Sequence, residues 1–387
     1  MTQTVLDQAE ASGRLTWWSA TRHAGRGAER LRNVFGARFD PHWRGVNIAV
    51  PVAMLVYAAI TALLCRAMGH PADFRLDVYL APFYVSYAVY GAIIAGALLV
   101  RRRLRRGDKH LLWFTGTWPL EKFVERLIAA LPFLLMWPIF MSGFTSIKNL
   151  LNDTLPFTWD HDLMTLGVLL HFGKPLWQWL SIDSPPVTLV LEFLYAFWGV
   201  LLVAVPFSVC LRRPDCPKRT RFLVSHLLVL VLLGNVVAGM FMSAGPFWLQ
   251  FSGHHHYAYA PLFDYLIRTD PNGSFSAVTY QRYLWQAHLH RSTWFGTGIS
   301  AFPSIHVAIA ALYVLFAWQF GRLARVASIL FLIAIMIGSV ELGWHYALDG
   351  YAGMAGTAAI YFGVGWAQRR LSNAAPESAL TRQTLAA

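Results

Sequence analysis

The stretch Gly296–Gly353 decides the fold of this chain. It reads GTGISAFPSIHVAIAALYVLFAWQFGRLARVASILFLIAIMIGSVELGWHYALDGYAG. His306 stands at the start of one apolar run, His345 stands at the end of the next, and the turn at Gly321–Ala324 separates the two runs. At a rise of about 1.5 Å per residue, each run covers roughly 25 Å, close to the thickness of a bilayer core. The pattern therefore predicts a helical hairpin that returns both histidines to the same membrane face.

The composition indicates a membrane protein. Of the 387 residues, 56% are hydrophobic and 13% are charged, whereas soluble domains carry about 25% charged residues. The net charge of +12 comes largely from short basic clusters between apolar runs, which favours a membrane over nucleic acid as the partner. The three cysteines match no zinc motif, so neither a disulfide framework nor a structural metal is expected.

The apolar runs predict an all-α, polytopic membrane protein with about eight transmembrane helices. The predicted spans are Val46–Met68, Val78–Val100, Phe123–Phe144, Pro186–Leu211, Phe222–Met242, Pro303–Phe320, Val326–Val340 and Tyr346–Trp366. Lys148–Asp183 is predicted to be interfacial or re-entrant, and Ser243–Ala301 a long aromatic loop. The predicted parts are a basic cytoplasmic tail (1–44), two accessory transmembrane helices (45–115), a helical core (116–370) and a second cytoplasmic tail (371–387).

Charged residues predict the orientation. Basic clusters occur in the N-terminal tail and at Arg101–Lys109, Arg212–Arg221, Arg322–Arg325 and Arg369–Arg370, and the intervening loops carry Asp153, Asp160, Asp162 and Asp183. The positive-inside rule then places both termini in the cytoplasm and both histidines on the outer side. We expect a multi-pass protein of a bacterial inner membrane, with its site facing the periplasm or the cell exterior.

Two short motifs carry candidate chemistry. In FPSIH, Pro303 suits the first position of a helix, whose free N–H groups near Ser304 can bind phosphate, and His306 lies in the first turn. In HYALDG, Asp349 can hold one ring nitrogen of His345 and leave the other as a nucleophile or base. Each motif alone is also explained by an interfacial histidine. The two motifs together, at the same depth in the membrane, indicate a phosphoryl-transfer site.

SAFPSIH and the His345–Asp349 pair resemble the second and third motifs of the type 2 phosphatidic acid phosphatase (PAP2) superfamily, which includes lipid phosphate phosphatases, sphingolipid synthases and vanadium haloperoxidases. The resemblance covers Phe123–Arg370 and implies a six-helix catalytic core without a cofactor. It implies that His345 is a nucleophile forming a phosphohistidine and that Asp349 orients it. His306 would protonate the leaving oxygen.

The chain departs from the usual phosphatase pattern at the phosphate clamp. Gly338 and Ser339 replace the Ser-Arg pair before the third-motif histidine, and no clean K-x6-R-P first motif is found. The missing arginine removes a bidentate phosphate ligand. The pattern is more similar to the inositol phosphorylceramide synthase branch. GPFW at Gly245–Trp248 weakly resembles an aromatic, proline-containing stretch of that branch. The missing arginine could be replaced by a basic residue of the loop before FPSIH, which offers Arg268, Arg282 and Arg291, with His288 and His290 close in sequence. Arg291 is nearest to FPSIH. Arg291 and Ser304 are therefore the predicted phosphate-binding residues.

The sequence thus predicts a membrane lipid phosphotransferase that moves a phosphoryl headgroup from a phospholipid to a lipid alcohol. One alternative is a PAP2-type phosphatase that uses water and acts on phosphatidate or polyprenyl (di)phosphate. Another is a non-enzymatic membrane protein, such as a transporter, with a decayed site. Intact His306, His345 and Asp349 argue against decay. The sequence leaves the oligomeric state, the donor and the acceptor open.

No metal is predicted at the reaction site. The run His254–His256 is interpreted as a solvated loop, because adjacent side chains point in different directions and no carboxylate shares their spacing. Glu341, one turn before His345, is either a supporting acid or an interfacial charge.

Overall fold

The structure, a computed structural model, describes residues 41–104, 120–213, 216–249, 258–269 and 277–384. Within these ranges the chain is helical and has no β-strand, which confirms the all-α class. In chain order the helices are α1 (Pro41–Ala67), α2 (Asp77–Leu104), α3 (Leu120–Thr154), α4 (Asp160–Leu170), α5 (Leu176–Leu180), α6 (Pro185–Cys210), α7 (Pro217–Met240), α8 (Pro246–Leu249), α9 (Ala260–Thr269), α10 (Ala277–Leu289), α11 (Ile305–Ala317), α12 (Arg322–Glu341) and α13 (Ala347–Thr384).

Six of these helices, α1, α2, α3, α6, α7 and α12, are long and apolar enough to cross a membrane. This confirms an integral membrane protein. Helices also occur at the other two predicted spans. Helix α11 has only 13 residues, which is too short for a span. Helix α13 is long enough, with 38 residues, but its hydropathy does not reach that of the six spans. Glycine explains the lower hydropathy of α13: a Cβ on Gly353 would lie 2.6 Å from the carbonyl oxygen of Ser304, so close packing on α11 requires a residue without a side chain.

Two predicted segments differ from the structure. Helix α3 does not end near Phe144 but continues to Thr154, so Lys148 is helical rather than interfacial. The polar residues of this last part weaken the apolar signal without breaking a helix, and Pro156 follows its end. The predicted loop at Ser243–Ala301 contains helices α8, α9 and α10.

Helix α11 is the centre of the bundle. Its side chains from Val307 to Tyr313 are all buried. Helices α12 and α13 pack against it, α12 also contacts α6, and α13 contacts α7. The alanines at 308, 310 and 311 let these neighbours approach closely. This short apolar helix therefore fixes the positions of the two helices whose connection contains His345.

Helices α1 and α2 pack against α3. The hydroxyl of Tyr57 in α1 donates a hydrogen bond of 2.5 Å to the side chain of Asn235. Asn235 lies in a π-helical segment of α7, Val229–Val237. The two predicted accessory helices are thus joined to the bundle through α3 and α7. Whether they form a unit separate from the core remains a prediction.

Basic residues from separate turns meet at one end of the bundle. Arg221 donates to the carbonyl oxygen of Tyr361 (2.9 Å), and Arg212 donates to the side chain of Gln319 (3.1 Å). Gln319 follows the end of α11 opposite to His306. Among the described residues, the basic segment Arg212–Arg221 and the histidines therefore lie at opposite ends of the bundle, as the predicted topology requires. Which end faces the cytoplasm remains a prediction.

Candidate active site

His345 lies in the short link between α12 and α13. Helix α12 ends at Glu341, and Gly343 adopts φ +70°, a conformation that favours glycine. The backbone N–H of His345 donates to the carbonyl oxygen of Ser339 (2.9 Å). The glycine turn thus places His345 just before α13, which begins at Ala347 and carries Asp349.

Asp349 orients the His345 ring from the first turn of α13. Its Oδ2 atom lies 3.2 Å from His345 Nδ1 and accepts the backbone N–H of Tyr346 (3.0 Å). Asp349 is fully buried and His345 is 6% exposed. Because Nδ1 faces the carboxylate, Nε2 is the ring nitrogen left to react.

FPSIH forms the start of α11, but with a different register from that predicted. The helix begins at Ile305, and Ser304 rather than Pro303 occupies the boundary, as the N-cap. Ser304 Oγ accepts from the backbone N–H of Val307 (3.4 Å), which is the usual role of a serine N-cap. The backbone N–H of Ser304 donates to the carbonyl oxygen of Asp349 (2.9 Å). Ser304 therefore connects the two motifs, and its contact with phosphate remains a prediction.

The two histidine rings lie side by side. Their centroids are 6.0 Å apart, close enough for both rings to reach one phosphoryl group. Two side chains of α6 hold the His306 ring: Tyr195 stacks on it at 4.4 Å, and Trp198 lies at 4.2 Å. His306 is thereby fixed between aromatic rings and the His345 turn.

The aromatic wall also offers hydrogen-bond donors. The hydroxyl of Tyr195 and the indole N–H groups of Trp198 and Trp344 are buried, and none has a hydrogen-bond partner among the described residues. Tyr195 and Trp344 stack with their ring centroids 5.8 Å apart. Buried donors are normally satisfied, so this group is suited to a ligand with several acceptor oxygens.

Lys148 is a site residue that the sequence interpretation missed. It lies in α3 and packs against Gly298, where an added Cβ would lie 2.5 Å from the Lys148 Cβ atom. The next residue, Asn149, donates to the hydroxyls of Thr293 and Thr297 (3.0 Å each). A lysine inside a span is costly and usually functional. A second signal was also present: Lys148 and Pro156 have the spacing of the K-x6-R-P motif, with Leu155 in place of the arginine.

Asp160 supports the His345 turn from the start of α4. Its carboxylate accepts the backbone N–H groups of Ala244 and Gly245 (2.8 Å each) and the hydroxyl of Tyr346 (3.1 Å). Burial raises the pKa of Asp160, and the two backbone N–H groups oppose that shift. This carboxylate joins Tyr346, next to His345, to the GPFW segment.

The GPFW segment has a structural explanation. Gly245 has φ +93°, and a Cβ there would lie 2.7 Å from the carbonyl oxygen of Trp344. The backbone N–H of Phe247 donates to the carbonyl oxygen of Gly343 (3.3 Å). The segment therefore lies directly against the link that carries His345.

The other basic candidates lie between α7 and α11, with Arg268 in α9 and Arg282 and His288 in α10. Arg291 is exposed, and its charge interacts with Asp73 and His288. Its role as a phosphate ligand remains a prediction. Glu341 is buried, and its Oε1 atom has no hydrogen-bond partner among the described residues. His254–His256, the tail at 1–40 and most of the basic segment Arg101–Lys109 lie outside the described residues.

A family model, PAP2_3, described as the PAP2 superfamily, matches residues 161–363. This match covers more than half of the chain and includes His306, His345 and Asp349, so the chain belongs to the PAP2 superfamily. Membership supports lipid chemistry of the phosphatase or phosphotransferase type. Lys148 lies before the matched region. No curated protein and no solved structure gives a significant match.

Proposed function

We propose that this protein transfers a phosphoryl headgroup from a membrane phospholipid to a lipid alcohol through a phosphohistidine, as an inositol phosphorylceramide synthase does. The observation that carries the proposal is the close placement of His306 against the His345–Asp349 pair. An isolated buried histidine has no need of an oriented carboxylate and a second imidazole at this distance.

In the first step, His345 Nε2 attacks the phosphorus of the donor lipid. The N–P bond forms as the bond from phosphorus to the lipid alcohol oxygen breaks, and His306 gives its proton to that oxygen. Asp349 stabilises the positive charge that develops on the His345 ring. Lys148 and the aromatic donors bind the phosphoryl oxygens, whose charge they offset in place of the missing arginine.

In the second step, the hydroxyl of the acceptor attacks the phosphohistidine. His306 now takes the proton from this hydroxyl, the new P–O bond forms and the N–P bond breaks, which restores His345. A lipid alcohol gives transfer and water gives hydrolysis. The burial of His345 and the aromatic rings of Tyr195 and Trp198 around the neighbouring His306 favour the lipid alcohol because they restrict the access of water.

The proposed site faces away from the cytoplasm, in the periplasm or at the cell exterior of a bacterial inner membrane, with both termini cytoplasmic. The distribution of basic residues supports this orientation. The carboxylates Asp73, Asp153 and Asp160 belong to the segments at the histidine end of the bundle. A donor and an acceptor that diffuse within the outer leaflet would then reach the site without crossing the membrane.

The direct test follows the phosphate of the donor. The purified protein is incubated in vesicles that contain a phospholipid with a radiolabelled phosphate and a ceramide-like alcohol. Transfer retains the label in the organic phase on the acceptor lipid, and this is the expected result. Label released into the aqueous phase with no labelled acceptor would support the phosphatase alternative. Loss of a phospho-sphingolipid from cells without the gene would support transfer in vivo.

A matched pair of variants decides which cation binds the phosphate. Lys148→Met should lower turnover by about 10²- to 10³-fold, since removing one group that stabilises transition-state charge has effects of this size. Methionine has a similar length and removes a buried charge, so folding should tolerate it. Arg291→Gln should leave turnover nearly unchanged. The reverse result would identify Arg291 as the phosphate ligand.

A further inference from the structure

Three side chains that can bind a metal ion meet outside the proposed reaction site. His70 is the N-cap and Asp73 the last residue of a 3₁₀ turn between α1 and α2, and Asp153 lies in the last turn of α3. One nitrogen or oxygen atom from each lies within 4.8 Å of the others. None of the three takes part in the mechanism above.

The distances in this cluster are too long for direct hydrogen bonds. His70 Nδ1 lies 3.6 Å from Asp73 Oδ2 and 3.5 Å from Asp153 Oδ2. A charge-assisted N–H···O bond is about 2.7–2.9 Å long. By contrast, two ligand atoms at about 2.0–2.1 Å from a tetrahedral zinc ion lie about 3.3–3.4 Å apart. His70 Nδ1 is therefore close to this distance from both carboxylate oxygens, and all three atoms lie within 4.8 Å of one another. A small cation would fit between them once the two carboxylates move closer together.

Both carboxylates are buried and incompletely paired. The side chains of Asp73 and Asp153 are each 6% exposed, and their Oδ2 atoms accept no hydrogen bond among the described residues. Asp73 Oδ1 does accept from Thr293 (3.4 Å), and the charge of Arg291 acts on Asp73 from the surface. Two buried carboxylates repel each other. A cation placed between their free oxygens would remove this repulsion.

We propose that His70, Asp73 and Asp153 bind one divalent cation of the zinc type, with water at the fourth position. An imidazole nitrogen and two carboxylate oxygens in tetrahedral spacing are suited to zinc, whereas magnesium and calcium prefer oxygen ligands alone. Another imidazole lies nearby: His288 interacts electrostatically with Asp153.

The proposed ion would tie the accessory helices to the outer end of α3. Asp153 is five residues beyond Lys148 in the same helix. Thr293, which donates to Asp73, also accepts from Asn149. The ion would therefore fix the loop around Thr293 against the helix that carries Lys148. Its role is structural, and it takes no part in the transfer of the phosphoryl group.

Metal content tests the proposal directly. The protein is purified without a metal-affinity tag, with His254–His256 changed to alanine to remove that run as a source of metal, and analysed by mass spectrometry of the elements. One zinc ion per chain is expected. Asp153→Asn and His70→Gln should lose it, whereas His290→Gln, an exposed histidine of the neighbouring loop, should retain it.

Two further measurements keep the test valid if a variant folds poorly. In the otherwise unchanged chain, a zinc chelator should lower Tm by a few degrees, and added Zn²⁺ should restore it. Co²⁺ in the same place should give the visible absorption of a tetrahedral site, which Zn²⁺ abolishes. A chain that contains no divalent ion and whose Tm responds to neither the chelator nor Zn²⁺ would overturn the proposal.

Discussion

His345→Ala should abolish both the covalent intermediate and turnover, because the variant lacks the nitrogen that bonds to phosphorus. The measurement is a rapid quench after mixing with a donor labelled in its phosphate, followed by isolation of the protein under alkaline conditions in which phosphohistidine survives. The parent protein should carry label at His345, and the variant should carry none. Label retained in His345→Ala would place the nucleophile elsewhere.

Asp349→Asn should form the intermediate slowly rather than lose it altogether. The amide keeps the size of the side chain but loses the charge that orients His345 at 3.2 Å. In a comparable hydrogen-bonded pair, this substitution lowers turnover by about 10⁴-fold. Asp349 also accepts the N–H of Tyr346, so circular dichroism and Tm should accompany the kinetics. If the Asp349→Asn variant is folded and its turnover is unchanged, Asp349 does not have the proposed role of orienting His345.

His306→Ala should respond to the leaving group of the donor. General-acid catalysis contributes about 10²- to 10⁴-fold, and it matters most when the leaving oxygen is strongly basic. We expect a loss in this range with a natural phospholipid, and partial recovery with a donor whose leaving group is an activated phenol. His345→Ala should remain inactive with both donors.

The comparison of the two donors separates the roles of the two histidines. The activated phenol leaves without a proton, so it replaces what His306 supplies in the first step but not what His345 supplies. Recovery of His345→Ala alone would mean that the two roles are reversed. Equal recovery of both variants would mean that neither histidine is the nucleophile. If substitutions at His306, His345 and Asp349 all left the function of the protein unchanged, the transporter alternative would be favoured.

The catalytic pair and the membrane character of the protein follow from local sequence. A run of consecutive apolar residues indicates a segment that lies in lipid. Six of the eight predicted spans are helices long and apolar enough to cross a membrane. His345 and Asp349 are four residues apart, so their contact needs only a turn. The sequence also predicted that the two motifs lie close together, because the apolar runs between them have the length of a helical hairpin.

The sequence predicted the extent of the third span less well. The apolar signal ends near Phe144, but the hydrogen bonds of α3 continue to Thr154. Polar residues in those turns face other helices and loops rather than lipid, as Asn149 and Asn152 do through bonds to the 293–299 segment. Hydropathy cannot separate such a helix from an interfacial segment, because both are polar.

The surroundings of the histidines were decided by tertiary structure alone. Tyr195 reaches His306 from a helix more than a hundred residues away in sequence, Lys148 packs against Gly298 across 150 positions, and Asp160 reaches Tyr346 across 186 positions. Their approach depends on how α3, α4 and α6 pack around α11. The same is true of His70, Asp73 and Asp153. Local spacing therefore determined the pairing of His345 with Asp349, and packing determined what surrounds and supports the candidate site, because contacts between distant helices leave no periodic signal in the chain.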